Sequence, residues 1–136
     1  MTKIKAAVVG VGNIGSIHAD IYSTLESIDL TAVCDTDKEK ADKAASKFNC
    51  KAFYSVESLL AEMPMEIASV CTKGEENGGD HYIPTIQLLD AGIHVLGEKP
   101  ISNNIEHARS MQKRAEEKRV RYGINLNHRF TPSAVK

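Results

Sequence analysis

Short runs of consecutive apolar residues alternate along this chain with stretches whose apolar positions recur every three or four residues. The runs Ile4–Val9, Leu30–Cys34, Ala52–Tyr54, Ile67–Cys71, His94–Leu96 and Tyr122–Leu126 read as strands. Several are apolar at successive positions, as parallel strands covered on both faces are. Between them lie helical patterns. Ile14, Ile17, Ile21 and Leu25 form one stripe of a first helix. Asp37 can cap a second, whose Ala41, Ala44, Ala45 and Phe48 share a face and which Asn49 stops. A short helix is expected after Ser55, ending before Pro64. A fourth begins after Gly78-Gly79-Asp80, carries Pro84 in its first turn and stops at Gly92. The fifth starts at Ser102–Asn104, with Asn103 and Glu106 as a capping box, and runs through Lys118. This alternation predicts an α/β fold: a doubly wound, mostly parallel sheet of about six strands with helices on both faces.

Composition narrows the picture. The 136 residues suit one domain, and 17 basic against 18 acidic side chains give a net charge of −1. That balance argues against a nucleic-acid or anionic-membrane partner. No apolar run approaches the ~18–20 residues that cross a bilayer, and no signal-peptide core precedes the first strand. Cys34, Cys50 and Cys71 are odd in number and widely spaced, so they read as thiols of a reducing, cytoplasmic compartment. No metal-ligand spacing is present.

Chemistry enters where the first strand runs into Gly10-Val11-Gly12-Asn13-Ile14-Gly15. Gly10 permits a sharp turn, Gly12 lets a pyrophosphate approach the backbone, and Gly15 allows close helix–sheet packing. The first amides of the helix face the phosphates. Asp35 ends the second strand, 20 residues beyond Gly15, where an acid binds adenosine ribose hydroxyls; its other reading is a helix cap. Asp35 and Asp37 repel a 2′-phosphate and favour NAD, while Lys38 and Lys40 keep NADP open. Thr72, at the end of the fourth strand, is placed to line the cofactor crevice. These features predict a Rossmann-type dinucleotide domain.

The residues also resemble the Gfo/Idh/MocA oxidoreductases, which include glucose–fructose oxidoreductase and inositol dehydrogenase. The resemblance rests on Gly10-x-Gly12-x-x-Gly15-x-x-His18, on Cys34-Asp35, and on Asn127-His128-Arg129-Phe130. Its most specific part is Ala91-Gly92-Ile93-His94-Val95-Leu96-Gly97-Glu98-Lys99-Pro100. The resemblance implies hydride transfer between a nicotinamide and a hydroxyl-bearing carbon of a sugar, polyol or related small molecule. It implies Lys99 beside the nicotinamide as the catalytic residue, where an ammonium stabilises charge developing on the reacting oxygen. Glu98 would pair with the cofactor ribose or orient the lysine. It further implies that residues 1–126 are the NAD(P)-binding domain. Residues 127–136 then begin the connection to a second domain that holds substrate, supplies a catalytic histidine and mediates oligomerisation. A chain ending at Lys136 is expected to bind cofactor without turnover.

Other polar residues carry less. His18 reads equally as a surface, packing or cofactor-side residue. His81 stands near a helix start and His107 on a charged helix, and the basic run Lys113–Arg121 reads as a solvated face. Lys73 through Asp80, rich in glycine and acid, reads as a mobile loop on the cofactor side. Two other functional classes remain open: a stand-alone nucleotide-sensing module, such as the Rossmann regulatory domains of ion channels, and a Rossmann domain that has lost its ligand.

Overall fold

A computed structural model describes residues 2–74 and 79–133 of the chain. Its elements run β1 (Ile4–Val9), α1 (Asn13–Thr24), β2 (Ile28–Cys34), α2 (Lys38–Phe48), β3 (Lys51–Phe53), α3 (Val56–Glu62) and β4 (Ile67–Val70). They continue as α4 (Tyr82–Asp90), β5 (His94–Glu98), α5 (Ile105–Lys118) and β6 (Tyr122–Asn125), with a 3-10 turn at Asn127–Phe130. The sheet order is β3-β2-β1-β4-β5-β6, and every pairing is parallel. This is the doubly wound arrangement that the alternation predicts. Strand order reverses between β1 and β4, so a crevice opens at their carboxyl ends. Of the expected loop Lys73–Asp80, residues 75–78 lie outside the described residues.

Consecutive apolar residues in β1 serve two cores. Ala7 and Val9 pack with Leu59, Leu88, Leu89 and Met111 on the face covered by α3, α4 and α5. Val8 packs with Ala19, Ala44 and Ala45 of α1 and α2 on the other. Side chains alternate across a strand, so two buried faces need an unbroken apolar run.

Helix ends follow their local chemistry. The side chains of Asp37, Ser55 and Asn104 cap α2, α3 and α5. Asn49 and Arg119 close α2 and α5 in the left-handed conformation. Asn104 accepts from the amides of Glu106 and His107, so the expected Asn103–Glu106 box does not form. The larger departure concerns α1. Ile14, Ile17, Ile21 and Leu25 lie on one stripe as the period requires, but that stripe is 44–54% exposed. The face against the sheet is Gly15, His18 and Ala19: Gly15 permits the close approach where α1 crosses the glycine turn, and His18 reaches Ser69 of β4.

Candidate functional site

Two cavities meet at the carboxyl ends of β1 and β4, sharing Cys71 and Thr72. The first, of about 600 Å³, lies between the glycine turn, the end of β2 and the start of α4. The second, of about 610 Å³, lies between the exposed face of α1, the end of β5 and the 3-10 turn.

The glycine turn builds the floor of the first. Gly10 takes a φ of +87°, and a Cβ there would stand 2.6 Å from the Thr72 amide nitrogen. At Gly15 a Cβ would lie 1.7 Å from the Gly10 carbonyl oxygen, so α1 approaches the strand at a distance no other residue permits. Gly12 differs: a Cβ there would meet nothing within 4 Å. It is the N-cap of α1 and donates no side-chain cap, and no acid lies in the first turn. At α4, by contrast, the Asp80 carboxylate accepts from the amides of Tyr82 (2.7 Å) and Ile83 (3.0 Å). The first-turn amides at Asn13, Ile14 and Gly15 therefore stand beside an open cradle suited to an anion.

Asp35 also lines this cavity. Its carboxylate accepts from the Val11 amide (2.9 Å), tying the turn to β2, and from the Asp37 amide (2.9 Å). The capping role belongs to Asp37, which accepts from the Lys40 amide. An ionised carboxylate has about four acceptor positions, so two bonds leave Asp35 capacity for hydroxyl donors. Lys38 lies 5.3 Å from the Tyr54 ring centre, away from the first cavity, whereas Lys40 lines it. Burial pushes the Cys34 thiol up to about 12, with Asp35 and Glu57 adding repulsion. Cys71 is likewise pushed up to about 12, by burial first and then by Glu98. Neither is an activated nucleophile.

In the second cavity the structure brings Lys99, Glu98, His18, Thr72, Asn125 and His128 together. Among the described residues Lys99 has no ion-pair or hydrogen-bond partner. The Lys99–Pro100 peptide is cis. Thr72 donates to the Asp80 carbonyl (2.6 Å), which leaves its side chain a wall of both cavities rather than a free donor. Glu98 is turned inward. Its Oε1 is 2.7 Å from His18 Nε2 and accepts from Asn125 Nδ2 at 2.7 Å. Both bonds fall on Oε1, so Oε2 keeps its acceptor capacity.

Two histidines to which the sequence assigned no role are buried. His18 spans Ser69 Oγ (2.9 Å) and Glu98, and the Tyr22 hydroxyl reaches Ser69 Oγ at 2.7 Å. The i, i+4 spacing of His18 and Tyr22, beside the isoleucine stripe, was the available signal. His81 stands 2.7 Å from the Thr72 carbonyl and 2.9 Å from that of Pro100, bracing the ends of β4 and β5. Nothing in the sequence marks this pairing. His107 stacks on Tyr82, 4.0 Å between ring centres, away from both cavities. Among the described residues no group of three or more His, Cys, Asp or Glu could hold a metal, and no helix is long and apolar enough to cross a membrane.

A family profile described as an oxidoreductase family with an NAD-binding Rossmann fold matches residues 4–126. The chain is 30% identical to D-glucoside 3-dehydrogenase of Escherichia coli (strain K12), over 93% of this chain and 36% of that protein. It is 31% identical to UDP-N-acetylglucosamine 3-dehydrogenase of Acidithiobacillus ferrooxidans, over 98% of this chain and 40% of the relative. The WlbA dehydrogenase from Bordetella pertussis, solved with NADH and UDP-GlcNAcA, superposes with a TM-score of 0.89 at 26% identity, over 97% of this chain and 39% of that one. The chain thus spans roughly two fifths of the length of the proteins it matches.

Proposed function

The chain belongs to the Gfo/Idh/MocA oxidoreductase family as its NAD-binding Rossmann domain, and from that premise we propose that it serves hydride transfer at a hydroxyl-bearing carbon of a sugar or sugar-like polyol. One observation carries the reading: the bare Gly12 face, the uncapped α1 terminus and the Asp35 carboxylate converge on one crevice at the topological switch point. Amides at Asn13, Ile14 and Gly15 would hold the pyrophosphate, with Gly10 and Gly12 leaving room for it, and Asp35 would accept from the adenosine ribose hydroxyls. Asp35 and Asp37 disfavour a 2′-phosphate, which supports NAD over NADP; Lys40 offsets part of that repulsion.

The dinucleotide, when bound, supplies the hydride acceptor or donor. Thr72 walls the crevice between its two halves. Lys99 presents an uncommitted ammonium to the second cavity, where charge builds on the reacting oxygen as C–O–H and C=O interconvert. Relatives named as 3-dehydrogenases of glucosides and sugar nucleotides support a ring hydroxyl as the substrate group. On this reading residues 1–126 are the dinucleotide-binding unit and 127–136 begin the connection beyond it. Turnover by the 136 residues alone is not expected, because hydride transfer needs both reactants positioned and this chain shows features for one.

Calorimetric titration with NADH and NADPH tests the reading. Saturable NADH binding, tighter than NADPH, is the expected result. Silence from both overturns it, and a preference for NADPH overturns the role given to Asp35.

A further inference from the structure

Glu98 and Lys99 are neighbours in the chain, carry opposite charges and line the same cavity, yet they are not paired. The carboxylate is held elsewhere. Its side chain is 13% exposed, against a His18 that is 7% exposed. A carboxylate accepts only, so the His18 nitrogen facing it, Nε2, must carry a proton. Upstream, burial raises the Tyr22 hydroxyl above its ordinary range, with Ser69 opposing, so Tyr22 stays protonated and can donate to Ser69 Oγ. Ser69 in turn can donate to His18 Nδ1. The chain of donors runs Tyr22 to Ser69 to His18 to Glu98, and Asn125 closes it from the opposite side. The network links four elements, α1, β4, β5 and β6, and two of its members, His18 and Asn125, meet on one carboxylate oxygen.

We propose that His18, with Asn125, is a positioning residue that holds the Glu98 carboxylate away from Lys99 and so keeps the Lys99 ammonium free for the reacting oxygen. The proposal deepens the function given above and rests on it for the meaning of Lys99. Its physics is simple. A free carboxylate one residue away would pair with the ammonium and hold it, since opposite charges within ~4–6 Å favour the charged form of each. Two charge-assisted bonds at 2.7 Å outweigh one solvent-exposed pair, which contributes little. Among the described residues the other titratable groups around the second cavity are Cys71, which follows β4, His81 at the start of α4 and His128 in the 3-10 turn. Cys71 stays a neutral thiol, and His81 is committed to two carbonyls. Glu98 is the one acid among them.

The test reads Lys99 directly and needs no cofactor. Acetylation of the 136-residue chain by an amine-reactive ester is followed from about pH 7 to pH 11, and the Lys99 peptide is compared with that of exposed Lys3 by mass spectrometry. His18→Leu should slow Lys99 acetylation near neutral pH about tenfold, because the released carboxylate then pairs with the ammonium. His18→Gln, which restores a donor at the Nε2 position, should recover it. So should Glu98→Gln added to His18→Leu, because the released group then has no charge. A merely structural histidine would lower the melting temperature of both His18→Leu chains and leave the Lys99 profile alone. An unchanged profile in folded His18→Leu overturns the proposal, as does slowing that persists with Glu98→Gln. Should His18→Leu fail to fold, Asn125→Leu with and without Glu98→Gln reads the same two outcomes. Nitrogen-15 spectra of His18 must also show a proton on Nε2; a bare Nε2 refutes the clamp. NADH titration of the parent chain separately decides the dinucleotide reading, so either can fail alone.

Discussion

Gly12→Ala separates the ligand from the fold. Gly12 sits at φ −71° and ψ −157°, which alanine adopts without strain, and the added methyl meets no protein atom within 4 Å. Alanine is a poorer N-cap than glycine by a few tenths to about 1 kcal/mol. It also restricts the unfolded chain, which contributes about 0.4–1 kcal/mol in the opposite sense. Stability should therefore change by less than about 1 kcal/mol. The space the methyl enters is where a pyrophosphate must approach the α1 amides. Losing one hydrogen bond to a charged group costs about 1.5–3 kcal/mol, or roughly 10- to 150-fold in affinity. Gly15→Ala is the counterpart. Its Cβ would lie 1.7 Å from the Gly10 carbonyl oxygen, and backbone cannot step aside as a side chain can. Helix α1 must shift, at about 1–3 kcal/mol or more. Thermal melts paired with NADH titration should show Gly12→Ala folded but weak-binding, and Gly15→Ala weak in both. Parental NADH affinity in Gly12→Ala would refute the placement of the phosphates.

Asp35→Asn should weaken NADH about tenfold and raise the NADPH-to-NADH affinity ratio, since Lys40 then faces the 2′ position with one fewer opposing acid; an unchanged ratio contradicts this. Thr85→Val should raise stability by about 1 kcal/mol, read as a urea midpoint, because the Thr85 hydroxyl is buried and finds no partner among the described residues. A loss instead would show that the hydroxyl is bonded. The thiols predict alkaline lability. Cys34 and Cys71 are raised to about 12 and Cys50 to about 11, all from an ordinary 9.0 and all chiefly by burial. The unfolded chain loses these protons first as pH rises, so their stabilisation is complete below pH 9.0 and is lost toward about 12. A urea midpoint that stays level from about pH 8 to pH 11 would contradict the shifts.

The elements were legible because each is written locally. Apolar runs bound the strands, Asp37 and Ser55 start their helices, and Asn49 stops one. The glycine spacing and Asp35 likewise lie within a single βαβ unit. What stayed hidden depends on distant chain meeting: His18 finds Glu98 across 80 residues and His81 finds Pro100 across 19. Periodicity also identified α1 and its isoleucine stripe but did not say which side is buried. A stripe of isoleucines ordinarily faces a core; here the sheet side of α1 is Gly15, Ala19 and the polar pair His18 and Tyr22, and the isoleucines face outward beside the second cavity.

The strand order has a kinetic consequence. Strands β1, β2 and β3 are neighbours in sequence and in space, whereas β1 joins β4 only by bridging a long gap, as the bond from the Lys5 amide to Glu66, 61 residues apart, shows. Closing that gap carries an entropic cost the first half of the sheet does not bear. The crevice between β1 and β4 therefore exists only after the seam has closed. A ligand that needs both walls meets a nearly finished chain, so NADH should slow the unfolding limb of a denaturant chevron and leave the refolding limb where it was. A faster refolding limb would mean that the walls assemble early. On this account the dinucleotide latches a completed molecule and gives no template to an incomplete one.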